Sequence, residues 1–460
     1  MNYTATIQRH RAFFDSGVTR PLGFRRDQLE RLSTALEQQE ARLLAALQAD
    51  LGKSPFQGYA SELGLLQAEI RHAQRNLGRW AAPSRRRTPW FVAPARGWVQ
   101  PEPIGVALIL GAWNYPVSLL LTPLVSALAA GNCVVLKPSE LAPRTADAVA
   151  ALVRETFAEA FVSIATGGAE VAEVLLRERF DTIFFTGSTR VGRLVMAAAA
   201  QHLTPVTLEL GGKCPAIVCA DAAVELAARR IAWGKWLNAG QTCVAPDFVL
   251  VEQGRRDALV AALRKSVREF YGEDARQSAD YGRIINARHF ERLVSYLRDG
   301  KVVHGGAHRA EDLFFAPTIL ADVSPDAPVM QEEIFGPILP VLAFDGLEAA
   351  LAMLRPRPTP LALYVFTRDR ATERRVLAEL RSGGACVNDV VAHMIGLRLP
   401  FGGLGDSGMG AYHGRTGFQA FSHQRAVLRR ATWLDLPYRY PPERLSLAGV
   451  KRAMRWLLCD

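Results

Sequence analysis

The 460-residue sequence has few cysteines and no pattern that would cross-link them. None of its six cysteines belongs to a CxxC pair, so the sequence indicates neither a disulfide framework nor a thiolate metal site. We therefore expect free thiols, a reducing cytoplasmic location and no bound metal.

Secretory signals and long apolar runs are also missing. The N-terminus lacks a basic region followed by an apolar stretch, so we expect no signal peptide. The longest apolar tract, residues 117–130, contains Pro123 and is too short to span a bilayer. With 49% hydrophobic residues and no internal repeat, the chain is expected to form two or three globular domains.

Positive charge exceeds negative charge, and the formal net charge is +10. The basic residues are spread along the whole chain, and the one dense run is Arg85–Arg87. Proteins that bind nucleic acid concentrate such charge on one face, so we interpret this run as a solvated stretch and expect no nucleic-acid partner.

From Gly105 the sequence alternates short apolar runs with helical stretches. Continuous apolar runs, each followed by a helix, are typical of a doubly wound parallel sheet covered on both faces. Less regular alternation from about Gly211 predicts a second α/β domain. The predicted strands are residues 106–110, 133–136, 162–165, 182–185 and 206–208 in the first domain, and 248–251 and 361–366 in the second.

Two residues suggest covalent catalysis. Cys243 lies among small residues in the segment Asn238–Pro246, and Glu209 ends an apolar strand just before a double glycine. An accessible thiol with a carboxylate base suits catalysis through sulfur, followed by attack of an activated water. Taken alone, Cys243 is more simply interpreted as an inert buried thiol.

A glycine-containing turn joins a predicted strand to a helix at Phe185–Gly192. Gly187 and Ser188 lie where the helix N-terminus offers unpaired N–H groups and the positive end of its dipole to an anion. The segment differs from the GxGxxG dinucleotide fingerprint, and an ordinary turn explains it equally well when it stands alone.

Three further segments place polar groups where they could meet a ligand. Lys137 and Glu140 could hold the hydroxyls of a ribose, and the Asn114 amide is a neutral donor suited to an oxyanion. If their segment is extended, Glu333 and Phe335 lie on the same side of the chain, where they could bind a sugar and pack on a planar ring. A solvated lysine and a turn asparagine before a proline are the ordinary alternatives.

Together, four motifs resemble those of the aldehyde dehydrogenase superfamily, in the family's order and approximate spacing. They are LELGGK at Leu208–Lys213, GQTC at Gly240–Cys243, EEIFGP at Glu332–Pro337 and PFGG at Pro400–Gly403. The resemblance extends over residues 29–424. Segments that resemble the class 3 branch, which includes enzymes for aromatic and medium- to long-chain aliphatic aldehydes and bacterial coniferyl aldehyde dehydrogenases, are Asp406–Gly414, Phe421–His423 and Arg439–Pro442.

The resemblance implies a catalytic role for three residues. Cys243 matches the nucleophile that attacks the aldehyde, Asn114 and the backbone N–H of Cys243 match the oxyanion donors, and Glu209 matches the base that activates water to hydrolyse a thioester. Thioester chemistry favours cysteine, because a free thiol is already a few per cent thiolate near neutral pH.

The resemblance also implies a bound NAD or NADP. Glu140 should favour NAD by repelling a 2′-phosphate, yet class 3 enzymes with this glutamate can accept both forms. The implied cofactor contacts are Lys137 and Glu140 at the adenosine ribose, Gly187, Ser188 and Gly192 at the pyrophosphate, Glu333 and Phe335 at the nicotinamide riboside, and Trp113 and Leu210 at nearby positions.

Relatives of this kind form dimers or tetramers through a protruding strand, and the class 3 resemblance favours a homodimer. The implied fold is two doubly wound parallel-sheet domains, one Rossmann-like and one catalytic, with a small β arm. The predicted ranges are 1–83 and 104–210 for NAD(P) binding, 211–420 for catalysis with Cys243, 84–103 and 421–440 for the arm, and 441–460 for a basic tail.

Two other functions fit part of this motif set. A relative that passes its thioester to coenzyme A would use the same cysteine, but such enzymes typically lack the base that Glu209 matches. A binding or structural protein on a dehydrogenase scaffold would have lost part of the catalytic set, which is complete here.

The basic tail has two interpretations. Its apolar residues Val450, Ala453, Met454, Leu457 and Leu458 fall on one helical face, and Lys451, Arg452 and Arg455 fall on the other. This pattern is compatible with peripheral contact with an anionic membrane surface. Packing against a partner subunit or the body of the protein is the favoured alternative.

Overall fold

The computed structural model describes residues 3–89, 92–435, 437, 440–443 and 445–457. Its N-terminal half contains α1 (Thr4–Asp15), α2 (Leu22–Gln38), α3 (Glu40–Leu51), α4 (Pro55–Gly58), a π-helix (Tyr59–Leu63), α5 (Gly64–Ala81), β1 (Ser84–Arg86), β2 (Ala95–Pro103), β3 (Val106–Leu110), α6 (Ser118–Ala130), β4 (Cys133–Lys137), α7 (Pro143–Thr156), β5 (Val162–Ile164), α8 (Ala169–Arg177), β6 (Thr182–Thr186), α9 (Thr189–Ala200) and β7 (Val206–Glu209).

The chain continues with a second set of strands and helices. These are β8 (Pro215–Val218), α10 (Val224–Trp236), β9 (Phe248–Glu252), α11 (Arg256–Tyr271), α12 (Ala287–Ser295), β10 (Lys301–His304), β11 (His308–Arg309), β12 (Phe314–Phe315), β13 (Thr318–Ala321), β14 (Ile338–Phe344), α13 (Leu347–Leu354), β15 (Ala362–Phe366), α14 (Arg370–Glu379), β16 (Gly384–Val387), β17 (Gly408–Met409), α15 (Gly414–Ala420), β18 (Ser422–Arg430) and α16 (Leu447–Leu457).

The first sheet has the strand order β17-β7-β6-β3-β4-β5 in the described residues, and its neighbours from β7 to β5 are parallel. Strands β3, β4 and β6 are buried along their whole length. This burial explains their continuous apolar sequences, because helices leave no solvent-facing side to a strand in the middle of such a sheet. The strands predicted in this half are confirmed to within one residue at each end.

The second sheet has the order β10-β13-β14-β9-β8-β15-β16 in the described part of the chain. All of its neighbours are parallel except β10 and β13. The strands predicted at 248–251 and 361–366 occur as β9 and β15. The predicted α/β class with parallel sheets is therefore confirmed in both halves.

A third sheet has the order β1-β2-β18 and is antiparallel. Strand β18 pairs with β2 from Ser422 opposite Pro103 to Arg430 opposite Ala95. The two segments predicted to form an arm are thus hydrogen-bonded to each other. Within the predicted arm segment 84–103, residues 90 and 91 lie outside the described residues.

Residues 408–420, which follow the second sheet in the sequence, pack against the first sheet and its helices. Strand β17 pairs antiparallel with β7, with Gly408 opposite Glu209, and α15 packs against α5 and α6. The sequence-based boundaries place residues 408–420 in the catalytic domain, whereas these contacts join the segment to the N-terminal half. A segment from the C-terminal part of the chain therefore lies directly beside Glu209.

The basic tail is helical, as its apolar periodicity predicts, and forms α16. Leu447 and Met454 on this helix are exposed. Leu458, which the sequence places on the apolar face, lies outside the described residues. Among the helices described here, none combines the length and apolar character that crossing a membrane requires.

Candidate active site

Cys243 follows a tight turn at the end of α10. Asn238, Ala239 and Gly240 all have left-handed backbone conformations, with φ of 51°, 51° and 77°. A side chain at Gly240 would collide with the carbonyl oxygen of Gly336, so this close approach requires glycine. Left-handed non-glycine residues cost about 1–3 kcal/mol each and persist where the surrounding structure enforces them, often at functional sites.

Gln241 fixes this turn through both ends of its side-chain amide. Its Nε2 donates to the carbonyl oxygens of Asn238 at 3.1 Å and Arg283 at 2.9 Å, and its Oε1 accepts from the backbone N–H of Ile285 at 3.0 Å. The residue is fully buried. The glutamine of the GQTC motif is therefore a structural support that sequence reasoning left without a role.

Asn114, after β3, lies against the same turn. Its Nδ2 donates to the carbonyl oxygen of Gln241 at 3.1 Å, and its own carbonyl accepts from Asn238 Nδ2 at 2.9 Å. The neighbouring Tyr115 hydroxyl lies 2.6 Å from Thr242 Oγ1. A side-chain amide carries two hydrogens on nitrogen, so the Asn114 amide has a second N–H to offer a ligand beside Cys243.

Glu209 is buried at the end of β7, with 2% of its surface exposed. Among the described residues, neither of its carboxylate oxygens has a hydrogen-bond partner. Burial raises the pKa of Glu209 well above its usual range. A buried carboxyl without partners is costly, so its oxygens are suited to a water or substrate proton.

Burial, followed by the nearby carboxylates of Glu333 and Glu209, raises the pKa of the Cys243 thiol to about 12. The expectation of a few per cent thiolate near neutral pH is therefore wrong for this environment. The thiol is protonated at neutral pH, and a base within the cleft must remove its proton when sulfur attacks.

The glycine-containing turn brings α9 close to the segment after Glu209. Ser188 caps this helix, because its Oγ accepts from the backbone N–H of Val191 at 3.4 Å, and the Gly187 N–H donates to the Glu209 carbonyl at 3.0 Å. A Cβ at Gly192 would lie 2.7 Å from Leu210 Cδ2, so glycine permits the contact. The first turn of α9 has no acidic residue, which suits an anion at its N-terminus.

Lys137 and Glu140 are brought together after β4. Lys137 Nζ donates to Glu140 Oε2 at 2.6 Å, and Lys137 is buried whereas Glu140 is partly exposed. The pair therefore offers both a donor and a carboxylate acceptor at the carboxyl end of the first sheet. This combination suits two adjacent hydroxyls of a sugar.

Glu333 and Phe335 reach the site on a loop that is not extended. Phe335 has a φ of 47°, so the chain is not extended at this residue and the condition for a shared side is not met. The Phe335 ring packs edge-on against Trp113 with centroids 5.2 Å apart, and the carboxylate of Glu333 fills the space where a side chain at Gly211 would lie. Burial, followed by the charge of Asp247, raises the pKa of Glu333 to about 8.

Three charged residues without a predicted role support this loop. Asp247 Oδ1 accepts from the Ile334 N–H at 2.9 Å, and Lys213 Nζ donates to the Glu332 carbonyl at 2.9 Å and ion-pairs with Asp247. Arg292 donates to the carbonyl oxygens of Glu333 at 3.0 Å and Ile334 at 2.7 Å. Lys213 belongs to the LELGGK motif, but no sequence pattern marks the other two.

Contacts between the described residues bring several of the predicted site residues close together. Asn114 lies against the turn before Cys243, Trp113 packs on Phe335, and the glycine turn adjoins Glu209 and Leu210. Lys137 and Glu140 lie at the carboxyl end of β4 in the same sheet. Within the described ranges, no three His, Cys, Asp or Glu side chains cluster in a way that could hold a metal ion.

The chain belongs to the aldehyde dehydrogenase family, whose model matches residues 2–427. It is 46% identical to the dimeric NADP-preferring aldehyde dehydrogenase of Rattus norvegicus, over 95% of this chain and 97% of the relative. It is 43% identical to the 4,4'-diaponeurosporen-aldehyde dehydrogenase of Staphylococcus aureus, over 96% of each chain. It is 47% identical to aldehyde dehydrogenase family 3 member A2 of Rattus norvegicus, over 95% of this chain and 90% of the relative.

Solved structures show the same fold. The substrate-bound state of Staphylococcus aureus AldH aligns with a TM-score of 0.97 at 41% identity, over 99% of this chain and 100% of that one. An NAD-dependent aldehyde dehydrogenase from Sinorhizobium meliloti aligns with a TM-score of 0.83 at 31% identity, over 94% and 88%. The predicted family is confirmed, and the protein is an NAD(P)-dependent enzyme that oxidises aldehydes to carboxylic acids.

The residues present fit NAD or NADP. The N-terminus of α9 is free of acidic side chains, Gly192 leaves no Cβ between this helix and Leu210, and the pair Lys137–Glu140 presents a donor and an acceptor. NAD or NADP bound by these residues would supply the hydride acceptor for aldehyde oxidation.

Proposed function

We propose that Cys243 is the nucleophile, Asn114 the oxyanion donor and Glu209 the base of this aldehyde oxidation. The observation that carries the proposal is the buried Glu209 carboxyl, which has no partner among the described residues and whose charge acts on the Cys243 thiol. Asn114 donates to the Gln241 carbonyl, two residues before Cys243, which holds its side-chain amide close to the backbone of the proposed nucleophile.

In the first stage, a base in the cleft takes the Cys243 proton while sulfur attacks the aldehyde carbon. The carbonyl π electrons move to oxygen, and the resulting oxyanion accepts hydrogen bonds from the Asn114 amide and the Cys243 backbone N–H. Preorganised donors of this kind are worth about 2.7–4 kcal/mol each. NAD(P), held by Lys137, Glu140 and the N-terminus of α9, would supply the hydride acceptor, and loss of hydride from the substrate carbon would leave a thioester on Cys243.

In the second stage, Glu209 takes a proton from water as the water oxygen attacks the thioester. The oxyanion forms again at the same donors, then collapses to the acid and expels the Cys243 sulfur. The carboxylate oxygens of Glu209 accept no hydrogen bond from the described residues, which supports this role. A carboxylate whose oxygens all accept hydrogen bonds from the protein would be a poor proton acceptor.

We propose aromatic or medium- to long-chain aliphatic aldehydes as substrates. We place the mouth of the substrate tunnel at the segment Ala392–Leu397, whose first four residues, Ala392–Ile395, form a short 3₁₀ turn; Ile395 is exposed there together with the following Leu399. Apolar side chains at an entrance favour apolar substrates. Steady-state rates for aromatic and aliphatic aldehydes of increasing length, each with NAD and NADP, test this proposal; a preference for short polar aldehydes would contradict it.

We expect turnover to rise as pH increases from about 6 to about 9. Glu209 accepts a proton only as a carboxylate, and its raised pKa keeps it protonated to higher pH than an exposed glutamate. The thiol, with a pKa of about 12, also loses its proton more readily as pH rises. A kcat profile at saturating substrate checks the direction; a profile that is flat or falling over this range, with the fold intact, would contradict it.

We expect Glu140→Gln to shift cofactor preference toward NADP. The carboxylate beside Lys137 repels the extra phosphate of NADP, and its removal should raise the NADP-to-NAD ratio of kcat/KM roughly fivefold, or about 1 kcal/mol for a partly exposed charge. Glu140→Asp, which keeps the charge, is the matched control. An unchanged ratio in Glu140→Gln would show that this carboxylate does not discriminate between the cofactors.

We further propose a homodimer assembled through the β1-β2-β18 arm, with domain boundaries at the ranges predicted from sequence, except that residues 408–420 belong with the NAD(P)-binding domain on which they pack. The word dimeric in the name of the rat relative supports this assembly, and so does the edge position of β18, where Leu428 is exposed. We favour packing of α16 against the partner subunit or the body of the protein over membrane contact. A reducing cytoplasmic location is supported by five cysteines that are free in the described residues.

A further inference from the structure

Two charged side chains outside the cleft form an ion pair that is removed from solvent. Lys53 Nζ lies 2.6 Å from Glu62 Oε1, and the two side chains are 1% and 0% exposed. Neither residue belongs to a motif that sequence reasoning singled out. Desolvating such a pair is expensive, and replacing it with apolar residues often stabilises a protein, so stability alone is a weak explanation for its presence.

Lys53 and Glu62 make their other hydrogen bonds to residues 114–118, the segment that begins with Asn114. Lys53 Nζ donates to the Asn114 carbonyl at 3.0 Å and lies 4.0 Å from the centroid of the Tyr115 ring. Glu62 Oε2 accepts from the backbone N–H groups of Val117 at 2.8 Å and Ser118 at 3.2 Å. The pair thus holds both the beginning and the end of this segment.

The backbone around Glu62 is also unusual. Glu62 lies in the π-helix Tyr59–Leu63, which separates α4 from α5. Single π turns are rare and occur frequently at functional sites, because the extra residue changes the direction in which a side chain points. Here the turn carries a fully buried carboxylate that bonds to the segment after Asn114.

We propose that Lys53 and Glu62 are positioning residues that hold the Asn114 amide at the place where the substrate oxyanion forms. The inference rests on the proposed role of Asn114 as oxyanion donor. The two opposite charges lie close together, so their electric fields largely cancel farther away. The pair therefore acts by fixing the position of the Asn114 amide, and not by changing the electrostatic potential at the substrate. An error of about 1 Å in such a donor can lower the rate by about 100-fold.

The test variant is Lys53→Met with Glu62→Gln, which removes both charges together. Methionine fills the space of the lysine stem, and glutamine keeps an oxygen that can accept from Val117 and Ser118. We expect kcat/KM for aldehyde oxidation to fall roughly 10- to 100-fold, with NAD(P) affinity unchanged within about twofold. Thermal unfolding and dinucleotide titration establish that the variant is folded.

A double-mutant cycle with Asn114→Ala separates positioning from a general structural effect. If the pair acts through the Asn114 amide, adding Lys53→Met and Glu62→Gln to the Asn114→Ala variant should lower kcat/KM by less than about threefold relative to Asn114→Ala alone. An equal loss in both backgrounds would overturn the inference, and so would unchanged kcat/KM in the paired variant. Asn114→Ala without effect would instead refute the proposed function itself.

Two further variants complete the experiment. If the paired variant does not fold, Glu62→Gln alone is measured in the same cycle and judged by the same criterion. The matched control is Arg11→Met with Asp181→Asn, because Asp181 accepts from the Val106 N–H at 2.8 Å at the opposite end of β3. This control should keep kcat/KM within about twofold; a loss as large as that of the Lys53–Glu62 variant would overturn the inference.

Discussion

Cys243→Ala is expected to lower aldehyde oxidation by roughly 10⁴-fold or more, to the background level. Without sulfur no covalent adduct forms, and nothing else in the cleft can hold the aldehyde carbon while it loses a hydride. The fold and dinucleotide binding should persist, because alanine is tolerated beside the left-handed turn at Asn238–Gly240 that already fixes the loop. Formation of reduced cofactor in a continuous absorbance assay measures the loss.

The matched control for this variant is Cys219→Ala. Cys219 is a buried thiol just after β8, and it has no part in the proposed chemistry. We expect it to retain turnover with at most a modest loss of stability. Cys243→Ala with turnover close to that of the unsubstituted enzyme would refute the assignment of the nucleophile.

Glu209→Gln is expected to lower steady-state turnover by roughly 10²–10⁴-fold. Glutamine has nearly the same shape but cannot take a proton from water, so the thioester on Cys243 should accumulate. A rapid-mixing experiment should then show one equivalent of reduced cofactor per site, followed by a stall. Intact-protein mass measurement would detect the acyl group.

Glu209→Asp is a suitable control, because it keeps a carboxylate but shortens the side chain. It should recover part of the hydrolysis rate. Steady-state turnover that is unaffected in Glu209→Gln would show that another group activates the water. The unsubstituted enzyme should form acid without coenzyme A; an absolute requirement for coenzyme A would instead identify an acyl-transferring enzyme.

The sequence predicts the first sheet well for a physical reason. Strands β3, β4 and β6 are buried on every residue, so their apolar runs are uninterrupted and their ends are sharp. Strand β14 is also buried but contains Pro340 in its interior, where proline cannot donate to a neighbouring strand. Its sequence therefore gives no comparable signal, and no strand was predicted there.

The properties of the site likewise fall into two groups: some depend on residues that are neighbours in the sequence, and others depend on residues that are distant in the sequence. Cys243, Glu209 and Phe335 are recognisable because each belongs to a short contiguous motif. The pKa of Cys243 depends instead on burial and on Glu333, which is distant in sequence, and the bend at Phe335 depends on groups such as Arg292 that hold its loop. Such properties arise only when the separate segments are packed together.

The return of β17 to β7 has a consequence for biosynthesis. A ribosome delivers Asn114, Glu209 and Cys243 well before it delivers Gly408, which pairs opposite Glu209. Strands that are far apart in sequence pair slowly, because a long loop must close before their contacts form. We therefore expect the nascent chain to hold Cys243 in an unfinished site until the segment with Gly408 has emerged and paired with β7, so that catalytic competence should be acquired only after that point in translation.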